Sequence, residues 1–153
     1  ELVQQPIEAA GRSLIFTGVS VGNPHCVVFK SSGEQWTREE LLALGPALEH
    51  HAIFPNRTNI QLGVPTGPRE ISILIWERGA GETQASGSSS CAAASAAVRL
   101  GLVSSPVTVR MPGGTLAIRV DPDFALTMKG PVAEVARGTL SPSFVRSLRT
   151  RSH

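Results

Sequence analysis

Six residues of this chain carry side chains able to do chemistry on a small polar ligand, and five of them stand where apolar strands end. Asn23 and His25 lie in GNPHC (22–26), Asn59 ends PNRTN (55–59), Glu77 and Arg78 close ISILIWER (71–78), and Ser86 opens Ser86-Gly87-Ser88 before an alanine-rich stretch. An arginine can hold a carboxylate through a fork of two hydrogen bonds, a glutamate can pair with an ammonium group, and asparagines can fix orientation. At Gly87 and Ser88, backbone N–H groups at the start of a helix have no intrahelical acceptor and lie at its partially positive end, so a carboxylate or phosphate fits there. Two amides, an imidazole, a carboxylate, a guanidinium and a helix N-terminus form a set suited to a small zwitterion. Each has a plainer reading alone. Serine before a helix is a common cap, a histidine beside an apolar run is commonly a core residue, and an acid–base pair is a common solvated strand end.

Other motifs are excluded by spacing. Gly79-Ala80-Gly81 lacks the third glycine of a dinucleotide fingerprint, no lysine follows to make a P-loop, and Ser86 is not in a G-x-S-x-G elbow. A serine hydrolase pairing Ser86 with His25 is therefore a weak rival. Cys26 and Cys91 are too few for a disulfide framework and lack the paired spacing of a zinc site, so each reads as a buried thiol and no metal site is expected. Cys91 stands five residues beyond Ser86, more than one helical turn away, and cannot replace it.

The elements that must position these residues are legible as periodicity. SLIFTGVS (13–20) and HCVVFK (25–30) read as strands divided by the turn residues Gly22-Asn23-Pro24. TREELLALGPALEHH predicts a helix over 38–50, with Thr37 and Glu40 at capping-box spacing and Pro46 as a local irregularity. RTNIQLGV (57–64) and EISILIWER (70–78) predict a strand pair about a turn at 65–68. VTVRM, TLAIRV, FALTMKG and VAEVARG then read as four short strands of a meander. Residues 88–100, SSSCAAASAAVRL, end at Gly101 where a helix cap belongs. Their side chains are nearly all tiny, so this helix is expected to be enclosed on most sides by strands. The expectation is one α+β domain over residues 1–153, with about eight strands, one exposed helix and one central helix.

Composition narrows the partners. Twelve Arg and two Lys are interspersed with twelve acids for a net charge of +2, which argues against a nucleic-acid-tracking surface. The arginines at 146, 149 and 151 read as a solvated end. No apolar run approaches the roughly 20 residues needed to span a bilayer, and the first residues lack a signal-peptide pattern, so a cytoplasmic location without membrane contact is expected. Because the chain starts with Glu, a processed product and a piece of a longer protein are both open readings.

GNPHCVVF (22–29), PNRTN (55–59), ERGAGET (77–83), ASGSSSCA (85–92), MPGG (111–114) and MKGPVAEVARG (128–138) occur in the order and spacing of diaminopimelate epimerases. The resemblance covers nearly the whole chain, and GNPHC with ERGAGET is its specific part. It implies a pyridoxal-independent amino-acid racemase fold, a mixed sheet wrapped as a barrel around a central Ala-rich helix. It also implies that this chain is the second of two such domains, whose missing first domain supplies one catalytic cysteine. The implied activity is a two-base interconversion of LL- and meso-diaminopimelate in lysine biosynthesis, with no cofactor; a homodimer is compatible with it. Carried over by resemblance, Asn23, Asn59 and Arg78 contact the distal end of an amino-acid substrate. Glu77 and His25 neighbour the reaction centre, and Gly87 and Ser88 supply backbone donors.

Two positions depart from that pattern: Ser86 stands where the resemblance places the second catalytic cysteine, and Ser89 where glycine is usual. Three readings of Ser86 stay open: a substitution made to trap a ligand, a paralogue with altered chemistry, or binding without catalysis.

Overall fold

The computed structural model describes residues 2–149, so Arg151 of the basic tail lies outside the described residues. Nine strands form one mixed sheet: β1 (Gln5–Ala9), β2 (Arg12–Ser20), β3 (Pro24–Phe29), β4 (Asn59–Gly67), β5 (Glu70–Glu77), β6 (Gly81–Thr83), β7 (Val107–Met111), β8 (Gly114–Val120) and β9 (Leu126–Lys129). Three helices complete the α+β fold: α1 (Arg38–Glu49), α2 (Gly87–Arg99) and α3 (Pro142–Arg149). The strand order is β1-β2-β3-β4-β5-β7-β8-β9, with β6 paired to β5. β3 and β4, and β5 and β7, run parallel, and the remaining pairs run antiparallel.

Strand alternation divides the core into two layers, because successive side chains point to opposite faces. On one face Val27, Ile71, Ile73, Ile75, Val107, Val109, Ile118 and Val120 pack on the alanines of α2. On the other, Phe16, Cys26, Val28, Ile60 and Leu62 pack on Leu41, Leu44 and Leu48 of α1. Helix α2 is enclosed as its side chains suggested: Ser89, Ser90, Ala92 to Ala94, Ser95, Ala96 and Ala97 are all buried. It ends in a Schellman turn, with Leu102 N–H donating to Ala97 O (2.9 Å), Gly101 N–H donating to Val98 O (3.0 Å), and Gly101 at φ +68°. Helix α1 opens with the expected capping box between Thr37 and Glu40 and runs continuously through Pro46.

The barrel does not close. β1 and β9 are the two ends of the strand order and do not pair, because β1 puts Ile7 and Ala9 into the α1 layer instead of turning toward β9. VAEVARG is not a strand: residues 130–141 have no regular structure, and Val132 and Val135 are almost fully exposed. Its alternating composition fits a strand, but no neighbour offers a ladder to join. β1, β6 and α3 were not foreseen. The turn expected at 65–68 is tighter, since β4 continues through a bulge at Pro65/Gly67 and only Pro68 and Arg69 make the loop. Cys26 is buried as expected, whereas Cys91 is only half-buried, because its place on α2 falls on the side the sheet leaves open.

Candidate functional site

His25, Asn59 and Glu77 share the α2-facing row of the sheet and lie at one end of it. Parallel pairing sets His25 opposite Asn59, and the antiparallel β4–β5 ladder brings the end of β5 to the same edge. Asn59 is buried and ties the three strands together: its Nδ2 donates to Pro24 O at 2.9 Å, and its Oδ1 accepts from Arg78 N–H at 3.0 Å. Arg78 is exposed, and its guanidinium donates to Asn56 O at 3.0 Å, which lays it across the PNRTN loop. Behind the Glu77–Gly81 turn the buried Glu49 of α1 accepts from Gly79 N–H (2.9 Å), Trp76 Nε1–H (2.8 Å) and Arg57 (3.1 Å). Burial alone would raise its carboxyl, but the hydrogen bonds from Trp76 and Gly79, with nearby cations, hold it below the ordinary glutamate value.

His25 is 1% exposed, and its Nε2 lies 3.0 Å from Asn23 Oδ1. Burial, the largest influence, lowers its pKa to about 4 against the opposing effects of Gln61 and Glu77, and Arg78 lowers it further. The ring is therefore neutral at pH 7. By strand register, Gln61 of β4 and Glu77 of β5 lie on the same face of the sheet as this imidazole.

The helix mouth is joined to this cluster by a residue the sequence reading missed. Gln61, wholly buried on β4, donates from Nε2 to Ser89 Oγ of α2 at 3.0 Å. An amide alternating with apolar neighbours in NIQLGV, on the buried face of a strand, was the available signal. Ser86 is the N-cap of α2: its Oγ accepts from Ser89 N–H at 3.4 Å and lies 3.4 Å from Ser88 Oγ. With Ser89 N–H taken by the cap and Ser90 N–H by Ser86 O, the N–H groups of Gly87 and Ser88 are the ones left without an intrahelical acceptor. No bond joins Ser86 to His25, so the hydrolase pairing has no geometric basis.

MPGG seats this mouth. Ser90 Oγ–H donates to Ser86 O at 2.8 Å and its oxygen lies 3.2 Å from Met111 Sδ, and Gly113 N–H donates to Gln84 O at 2.8 Å, where a Cβ would stand 2.9 Å from that oxygen. A Cβ on Gly87 would meet Met128 Sδ at 3.0 Å, so the glycine lets β9 lie against the first turn. Among the described residues no cluster of His, Cys, Asp or Glu could hold a metal, and no helix is long and apolar enough to cross a membrane.

The family model described as diaminopimelate epimerase matches residues 17–135, which include every one of these side chains. The chain belongs to the diaminopimelate epimerase family. It is 44% identical over 140 residues to a diaminopimelate epimerase of Synechococcus sp. (strain JA-3-3Ab), covering 91% of this chain and 49% of the relative. It is 42% identical over 134 residues to that of Desulfitobacterium hafniense, covering 88% and 46% respectively. The chain thus spans about half the length of the curated relatives it matches. A solved phenazine biosynthesis protein of the PhzF family from Bacillus anthracis is 16% identical, with a TM-score of 0.48 over 74% of this chain and 37% of the other. Nothing about function follows at that level. The diaminopimelate epimerase relatives carry the assignment.

Proposed function

We propose that this chain is the second half of a cofactor-independent amino-acid epimerase, and that the whole protein interconverts LL- and meso-diaminopimelate. The observation that carries the reading is the open N–H pair of Gly87 and Ser88 at the edge where Asn23, His25, Asn59, Glu77 and Arg78 converge. A substrate α-carboxylate against those N–H groups would be held as negative charge builds on the α-carbon, which is where fixed donors lower a barrier most. Arg78 and the asparagines would take the distal carboxylate and amine, and Glu77 with His25 would border the reacting carbon. The other half would contribute its own cysteine from the opposite side of the α-carbon.

Ser86 occupies the position of the second base in this reading. A thiol ionises near 8.5, whereas an aliphatic hydroxyl is closer to water at 15.7, a gap of about 7 units. At ~1.4 kcal/mol per unit the ceiling on the lost driving force is roughly 10 kcal/mol, so two-base turnover is expected to be severely slowed. Deuterium incorporation at the α-carbon of diaminopimelate by the full-length protein tests this. Ser86→Cys should raise exchange by orders of magnitude, and silence in both forms would overturn the epimerase reading. One observation favours a second reading, an amino-acid-binding half without chemistry: the Ser86 hydroxyl already serves as a cap. Calorimetric binding of diaminopimelate with no exchange in either form would select it.

A further inference from the structure

Arg57 holds a backbone conformation that its side chain does not favour. Its φ is +59°, in the left-handed region that glycine occupies freely and a residue with a long side chain rarely adopts. Such strain persists only where neighbouring contacts hold it. Arg57 N–H donates to Phe54 O at 2.8 Å, and Phe54 is buried in the α1 layer. In the same planar peptide unit the carbonyl of Asn56 points the opposite way and accepts from Arg78 Nη1 at 3.0 Å. The Arg57 guanidinium donates to Glu49 Oε1 at 3.1 Å, and that one oxygen also accepts Gly79 N–H at 2.9 Å. The contacts close a circuit: from Glu49 to Arg57, through the shared peptide to the Arg78 guanidinium, and from Arg78 to Gly79 and back to Glu49.

Stability does not account for the arginine. Its side chain is 50% exposed, so the ion pair adds little to folding, and a residue more tolerant of positive φ would sit there with less strain. What it supplies is a fixed direction for Asn56 O, because a change in φ at Arg57 would swing that peptide away from Arg78. The bond to Asn56 uses Nη1 and leaves Nε and Nη2 of Arg78 without a partner among the described residues. That pair of donors is one side of a fork fit for a carboxylate.

We propose that Arg57 is a positioning residue for Arg78: anchored on Glu49, it locks the Asn56–Arg57 peptide so that the Arg78 guanidinium is laid out before a ligand arrives. It touches no ligand. A side chain ordered in advance is not immobilised at the moment of binding, which raises affinity for an anionic ligand group by roughly two- to tenfold. This rests on Arg78 being a ligand contact, but the circuit is tested without a ligand.

The test is the order of the Arg78 side chain in this chain, read from nitrogen relaxation of arginine Nε–H groups in mildly acidic buffer and assigned by loss of the signal in Arg78→Lys. Arg78 should be as ordered as the backbone, and the exposed Arg69 should not. Arg57→Asn tolerates the positive φ and is too short to reach Glu49; it should keep the urea midpoint while Arg78 loosens to the level of Arg69. Arg57→Lys, with a cation at nearly the same reach, should keep Arg78 ordered. In the full-length protein Arg57→Asn should weaken calorimetric binding of diaminopimelate by roughly two- to tenfold and leave the saturated rate of α-carbon exchange unchanged, a split that loss of folding would not give. An Arg78 as mobile as Arg69 in the unaltered chain overturns the proposal. So does an Arg78 still ordered in Arg57→Asn, equal loosening in the Asn and Lys variants, or unchanged affinity in a full-length protein that binds. Should Arg57→Asn not fold, the unaltered chain and Arg57→Lys decide. A full-length protein that binds nothing sinks the epimerase reading and leaves side-chain order to decide this one; a mobile Arg78 leaves the exchange assay untouched.

Discussion

Replacing Glu49 by Gln removes a charge while keeping the side chain's shape, and the structure fixes what that change should cost. Oε1 receives Gly79 N–H and Arg57, and Oε2 receives Trp76 Nε1–H, so all the partners are donors. A glutamine keeps one acceptor oxygen and presents N–H₂ at the other end. If its oxygen stays with Gly79, the new amide meets the indole N–H donor to donor, and the indole loses its partner. A buried donor left unsatisfied costs about 1–3 kcal/mol, and bonds to a charged acceptor contribute about 1.5–3 kcal/mol each. Arg57 is half exposed, so its ion pair adds little. The expected loss is therefore about 2–4 kcal/mol, a large share of the roughly 5–15 kcal/mol that holds a domain together. It should appear in urea as a lower midpoint at unchanged slope. Trp76→Phe deletes the opposing donor, so the double variant should lose less than the sum of the two single variants. The pH dependence has a definite sign: the folded carboxyl lies below its unfolded value, so its contribution is present above the unfolded pKa and fades as pH falls through the folded one. The gap between native and variant should narrow in acid. A loss under 0.5 kcal/mol at pH 7, or strict additivity with Trp76→Phe, would refute the view that Glu49 braces the Glu77–Gly81 turn.

Three further outcomes are expected. A Cβ on Gly45 would stand 2.5 Å from Cδ2 of the Trp76 ring, so Gly45→Ala should destabilise by about 1–3 kcal/mol in thermal or urea unfolding. Ser86→Ala removes a cap whose bond is long at 3.4 Å; unfolding should register about 0.5–1 kcal/mol, and a larger loss would mean the hydroxyl holds something more. Burial pushes the Cys26 thiol up to about 12 and raises Cys91 as well, but Cys91 is half exposed; at pH 8 mass spectrometry should find iodoacetamide on Cys91 well before Cys26.

The sequence by itself determined the elements whose signal is local. The capping box Thr37–Glu40, the turn at Gly22-Asn23-Pro24, the alternation in SLIFTGVS and ISILIWER, and Gly101 past α2 all act within a few residues of chain. Their boundaries came within a few residues of the observed ones. Enclosure of α2 was legible too, since a helix of alanine and serine has no side chains fit for a water-facing side. β1 escaped notice because only Ile7 and Ala9 point inward and Pro6 sits on an edge strand, while VAEVARG has a strand's composition and nothing to pair with. Pairing is a property of the neighbour, and a single segment cannot announce it. The same holds for the site: Asn23, His25, Asn59, Glu77 and Arg78 could be nominated by residue type. That Asn59 pins Arg78, that Glu49 braces the turn from α1, and that Gln61 reaches Ser89 of α2 depend on contacts between residues 19 to 30 positions apart. Only the registers of β3, β4 and β5 and the docking of both helices on opposite faces of the sheet bring those atoms within hydrogen-bond reach.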